Sequence, residues 1–152
     1  MGQRHQAFLI ARVGRTKGAP PDQYRCIAAL HHQWCYGSGP LEAAYRFINL
    51  AKERGNAALL REEMARYPES RVRDAHVPCP YAAFLLQTAF SAGREDKLQS
   101  PACLETATMG STQGDNNDGI TVMDMIDPER VAICFVPWRT PLTPHEYLHA
   151  YY

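Results

Sequence analysis

The chain has no surplus of either charge. Its 16 Lys and Arg balance 16 Asp and Glu, giving a formal net charge of zero. A balanced chain has no general attraction to polyanions, so neither nucleic acid nor an anionic membrane is an expected partner. The one basic stretch, "RYPESRVRDAH" at 66–76, reads as a solvated helix end followed by a loop. No run of about 18 apolar residues occurs, so no membrane-spanning helix is expected. The opening "MGQRHQAFLIARV" places a basic residue before an apolar run, as a secretion signal does. "AFLI" is far shorter than a signal's apolar region, however, and Arg12 interrupts it. Gly2 invites a myristoylation reading, but Gln6 stands where Ser or Thr belongs. A cytoplasmic location is the expectation.

Other signatures are missing too. The five cysteines, Cys26, Cys35, Cys79, Cys103 and Cys134, are odd in number and form no CxxC pair. That argues against a disulfide framework and against a zinc knuckle. There is no GxSxG elbow and no Gly-rich phosphate loop. What is present is a globular composition, 45% hydrophobic and 21% charged over 152 residues. Such a chain forms one domain across 1–152 and buries about two-thirds of its unfolded surface.

Local pattern gives an order of elements. "QAFLIARV" at 6–13 and "YRCIAALHHQW" at 24–34 read as strands around the turn-rich "GRTKGAPPD". Strict alternation would place Tyr24, Cys26, Ala28, Leu30, His32 and Trp34 on one face of the second strand. "GSGP" then starts a helix with Leu41, Ala44, Tyr45, Ile48 and Ala51 at helical spacing, ending at Gly55. "NAALLREEMARY" is a second helix, stopped before Pro68. "YAAFLLQTAFSAG" is a third, apolar nearly all round. The segments 70–80 and 94–114 read as loop. "ITVMDMI" and "VAICFVP" form a second hairpin, and "TPHEYLHAYY" a terminal helix. The expected class is α+β, in the order ββ-ααα-ββ-α: one antiparallel sheet from two hairpins, with helices packed against it.

Four groups of residues can carry chemistry. His145, Glu146 and His149 form HExxH, two imidazoles one helical turn apart with a carboxylate beside them, which is a zinc-binding spacing. Yet Thr143, Pro144 and Glu146 also make a capping box. A third ligand would have to come from upstream, from His5, His31, His32 or an Asp. "GDNNDGI" presents Asp115, Asn116, Asn117 and Asp118, oxygen donors suited to calcium but without the closing Glu of an EF-hand loop. The same residues favour a tight turn with Gly119 at positive φ. "HHQWCYG" puts His31, His32 and Trp34 at a strand end before a glycine loop, a place where rigid frames display functional groups. Arg4 and His5 precede the first strand beside them. Cys35 next to these histidines raises a Cys–His pair that spacing alone does not support.

Three of these blocks carry a resemblance. "MGQRHQ", "HHQWCYG" and "GDNNDGITVMDM" resemble a group of fungal proteins to which no activity is assigned, so the likeness transfers no catalytic residue. The layout is also loosely similar to N-terminal nucleophile hydrolases. That likeness would imply Cys, Ser or Thr at the position Gly2 occupies, so the nucleophile is missing. The expectation is therefore a domain that binds a small molecule or protein, without standard catalytic machinery or a required cofactor. Its site would be Arg4, His5, His31, His32, Trp34 and Asp115 to Asp118. The alternative is a zinc hydrolase centred on His145, Glu146 and His149.

Overall fold

The computed structural model describes residues 4–14, 20, 23–92, 102–108 and 116–151. Five strands form one sheet in the order β3-β2-β1-β4-β5. β1 is Arg4–Val13, β2 Gln23–Gln33, β3 Ala102–Glu105, β4 Ile120–Asp124 and β5 Ala132–Val136. The two expected hairpins, β1 with β2 and β4 with β5, are both antiparallel. They do not make an antiparallel sheet together, because β4 lies parallel to β1 with Gln6 opposite Ile120 and Ile10 opposite Asp124. A parallel pair needs a long crossover, and the helical block between the hairpins provides it. The sheet is therefore mixed.

β3 falls in a segment read as loop. It pairs with β2 from Ala29–Glu105 to His32–Ala102. None of its four residues is buried, so no alternation could announce it. Its extended form comes from hydrogen bonding to β2. Within the other presumed loop lies α3, a single helical turn at Ser70–Arg73.

The helices α1 (Gly39–Lys52), α2 (Arg54–Ala65), α4 (Pro80–Ser91) and α5 (Pro144–Tyr151) complete the described elements. The stripe that α1 buries is Pro40, Ala43, Ala44, Phe47 and Ala51. Tyr45, expected on it, is 66% exposed. α4 buries Ala82, Ala83, Leu85, Leu86, Ala89 and Phe90, although Phe84 faces water. Small alanines on both helices let them approach closely, and together with Ala7, Leu9, Ala11, Leu30 and Met123 of the sheet they form one core. Phe8 and Ala29 are buried outside that core, as strand alternation requires. No helix among the described residues is long and apolar enough to cross a membrane.

A bulge breaks the alternation expected of β2. Leu9 pairs with Ala28 but Ile10 pairs with Cys26, so Ile27 is the extra residue. Such an insertion re-aims the side chains beyond it. Ile27 and Ala28 are both buried, while Tyr24 is 51% exposed. Arg25 is now opposite the core residue Ala11, on the side that carries the helices.

Helix α4 begins without a capping side chain of its own. Glu63 of α2 supplies the acceptors: the Tyr81 amide donates to Oε1 at 2.8 Å and the Ala82 amide to Oε2 at 3.0 Å. A carboxylate at a helix N-terminus satisfies otherwise unpaired N–H groups and complements the helix dipole. Glu63→Ala is expected to lower stability by about 1–2 kcal/mol, read from the urea midpoint at constant slope. An unchanged midpoint would refute the bridging role.

Candidate functional site

The structure brings the start of β1 and the Asn-Asp-Gly turn together. The Arg4 amide donates to Asn117 Oδ1 at 2.8 Å, and the Asp118 amide donates to the Arg4 carbonyl at 2.9 Å. Asn116 Nδ2 donates to Gln6 Oε1 at 2.8 Å, and the Gln6 amide to the Gly119 carbonyl at 3.3 Å. Gly119 turns the chain with φ +94°, and an added Cβ would lie 2.6 Å from the Pro137 Cα. These contacts set the parallel register of β4 on β1. Gln6, wholly buried, also donates to Glu105 at 2.6 Å and so reaches β3. One oxygen of Asp118, Oδ2, is buried without a hydrogen-bond partner among the described residues. Burial pushes that carboxyl above its ordinary range. Asp115 lies outside the described residues, as does Gly2.

His5 and His32 face each other across β1 and β2 and are both about 1% exposed. Their polar atoms are turned inward. His5 Nε2 meets Thr121 Oγ1 at 2.7 Å. His32 presents Nε2 to the Phe90 carbonyl at 3.0 Å and Nδ1 to the Gln33 carbonyl at 2.6 Å. Burial lowers the His5 pKa to about 4, and the neighbouring His32 adds to the effect. His31 points to the opposite face, beside Cys103, and is only partly buried. Trp34 is 44% exposed and holds φ +62°, an uncommon conformation for a bulky residue. The three polar blocks therefore meet at one end of the sheet, with much of their hydrogen bonding directed into the fold.

The terminal helix has its expected cap. Thr143 donates to Glu146 Oε2 from its amide and its hydroxyl, both at 2.8 Å, and the Glu146 amide returns a bond to Thr143 Oγ1 at 3.3 Å. Those bonds hold the Glu146 carboxyl below its ordinary range. His145 and His149 are exposed, with their Nε2 atoms 3.2 Å apart. Among the described residues no group of three or more His, Cys, Asp or Glu is placed to hold a metal. None of His5, His31 or His32 completes the HExxH pair as a third ligand.

At the other end of β1 lies a cavity that the sequence reading did not find. It has a volume of about 310 Å³ and is lined by Val13, Gly14, Arg25, Tyr67 and Arg73. The bulge delivers Arg25, the turn after α2 delivers Tyr67, and α3 delivers Arg73. Among the described residues Arg25 has one polar side-chain partner, the neutral Gln23. Arg73 pairs with Asp74 at 3.1 Å, with side chains 39% and 66% exposed, a pairing worth little in water. Burial pushes the Tyr67 hydroxyl up from its ordinary pKa, and the nearby Arg25 and Arg73 oppose the shift. The Tyr67 hydroxyl makes no hydrogen bond among the described residues. A second cavity, about 340 Å³, is lined by Glu63, Arg66, Arg71, Val77, Pro80 and their neighbours. Glu63 there caps α4, and Arg66 and Arg71 share the exposed carboxylate of Glu69, so its two cations and two carboxylates leave no net charge for an anion to meet. The sequence signal for the first site is the basic stretch 66–76, which supplies Tyr67 and Arg73.

No protein-family model, curated protein or solved structure matches the chain.

Two outcomes follow from the sheet end. Gly119→Ala is expected to lose more than about 2 kcal/mol of stability, because it adds a close backbone contact to a positive φ; a wild-type unfolding midpoint would contradict this. His5 is neutral in the fold, so the stability it contributes is complete above pH 6.5. That stability is lost as the pH falls through about 4, by roughly 3 kcal/mol in total. Its imidazole resonances should not titrate above about pH 5; a midpoint near 6.5 would show that the ring is not held as described.

Proposed function

We propose that this chain is a binding domain for a small organic anion, without standard catalytic machinery, and that the ligand sits among Arg25, Arg73 and Tyr67. The observation that carries the reading is the convergence of two guanidinium groups and a phenol, from three separate segments, on one cavity. Both guanidiniums are partly buried, and among the described residues neither is held by a buried carboxylate. A carboxylate or phosphate group offers each a two-pronged, charge-assisted hydrogen bond. Tyr67 adds a donor and an aromatic wall. Val13 and Gly14 leave one side apolar, which suits an anion with a small hydrocarbon part. The volume is at the lower end for ligand sites, consistent with a small molecule rather than a peptide.

Several features support binding over catalysis. The buried histidines are committed to internal partners. Burial pushes the Cys26 thiol to about 11 and the Cys79 thiol to about 12, away from the thiolate that nucleophilic chemistry needs. The hydrolase reading of His145, Glu146 and His149 has less support, because the carboxylate meant to activate water is the helix cap.

Calorimetric titration with phenyl phosphate and with benzoate tests the proposal, with benzyl alcohol as the neutral control. Whichever anion binds names the head group. Arg25→Ala and Arg73→Ala are each expected to weaken binding about tenfold or more, and Arg25→Lys to restore little of it. Affinity should fall as salt is raised. Equal binding of the neutral control, or binding unaffected by either substitution, would dispose of the reading.

A further inference from the structure

We infer that His145 and His149 form a two-histidine chelate for a borderline divalent transition ion of the zinc and copper class, on the outer face of α5. The evidence is geometric and independent of the anion cavity. Helix α5 is fixed in rotation by Tyr147, which is 2% exposed, stacks on Phe135 at 4.3 Å and donates its hydroxyl to the Gly37 carbonyl at 2.9 Å. The capping box fixes its first turn. Residues two places from an inward one on a helix point away from it, so His145 and His149 are both turned outward. Being four apart, they stand one above the other.

Their rings meet edge to face at 4.4 Å, and the two Nε2 atoms are 3.2 Å apart. With metal–nitrogen bonds of about 2.0–2.1 Å, that separation subtends an angle of roughly 100° at the ion. This lies between the right angle of tetragonal copper and the tetrahedral angle of zinc, so neither ion requires the helix to move. In the metal-free pair one Nε2 carries the proton and the other accepts it. On binding, the donor ring moves its proton from Nε2 to Nδ1, so that both Nε2 lone pairs meet the ion. Imidazole selects this class of ion over magnesium or calcium. Glu146 remains with Thr143, so it is neither a third ligand nor a base. Water completes the coordination, and the site is a docking point for an ion rather than a hydrolytic centre.

The test uses the full chain without an affinity tag, titrated calorimetrically with Zn²⁺ and separately with Cu²⁺ in a non-coordinating buffer. Mg²⁺ serves as the control. One ion per chain is expected, with affinity reduced about tenfold or more in His145→Ala and in His149→Ala. His31→Ala and His76→Ala should leave it unchanged. Both target side chains are exposed, so their removal does not endanger the fold, and circular dichroism of each variant checks this. The Cu²⁺ complex should show the visible absorption of nitrogen coordination, lost in the double variant. Binding that survives in the double variant, or no heat above the Mg²⁺ control, would overturn the assignment.

Discussion

The structure depends on how β1 is held. It is the central strand, antiparallel to β2 on one side and parallel to β4 on the other. A parallel neighbour cannot be set in register by a tight turn. Here the register comes from side chains and backbone at the strand's first residues: Arg4 to Asn117 and Asp118, and Gln6 to Asn116 and Gly119. Gly119 can make this approach because it has no Cβ. Once β4 is seated, β5 follows by hairpin, Phe135 enters the core, and Tyr147 of α5 stacks on it.

The two ends of β1 serve different purposes. At the Arg4 end, polar residues are turned into the fold and fix its topology. At the Val13 end, roughly 30 Å away along a ten-residue strand, the bulge at Ile27 turns Arg25 toward the helical side. There it joins Tyr67 and Arg73, whose charges and hydroxyl are not matched by buried partners among the described residues. Buried hydrogen-bonded histidines make a specific frame, whereas incompletely matched guanidinium groups around a cavity are suited to a ligand that supplies the missing charge. On this account the polar frame and the site are separate.

Most helices and four of the strands were legible, because each carries its own periodicity or punctuation. Pro40 and Pro144 mark helix starts, and the capping box of Thr143 and Glu146 occurs as the spacing predicts. Three features were not legible. β3 exists through pairing to β2 and has no alternation of its own. The parallel pairing of the hairpins depends on contacts more than a hundred residues apart in sequence, such as Arg4 with Asn117. The bulge shifts Arg25 by one place in a pattern that looked regular. Hence the polar blocks were found as neighbours, yet the cavity was missed: its residues are unremarkable one by one, and only the fold assembles them.

The most direct measurement of this account is a backbone and arginine side-chain NMR titration with phenyl phosphate. The account predicts that shifts concentrate at Val13, Gly14, Arg25, Tyr67 and Arg73, including the Nε–H signals of both arginines. Perturbations centred instead on Arg4, His31 to Trp34 and Asn116 to Asp118 would contradict it, as they would make the sheet end the binding site.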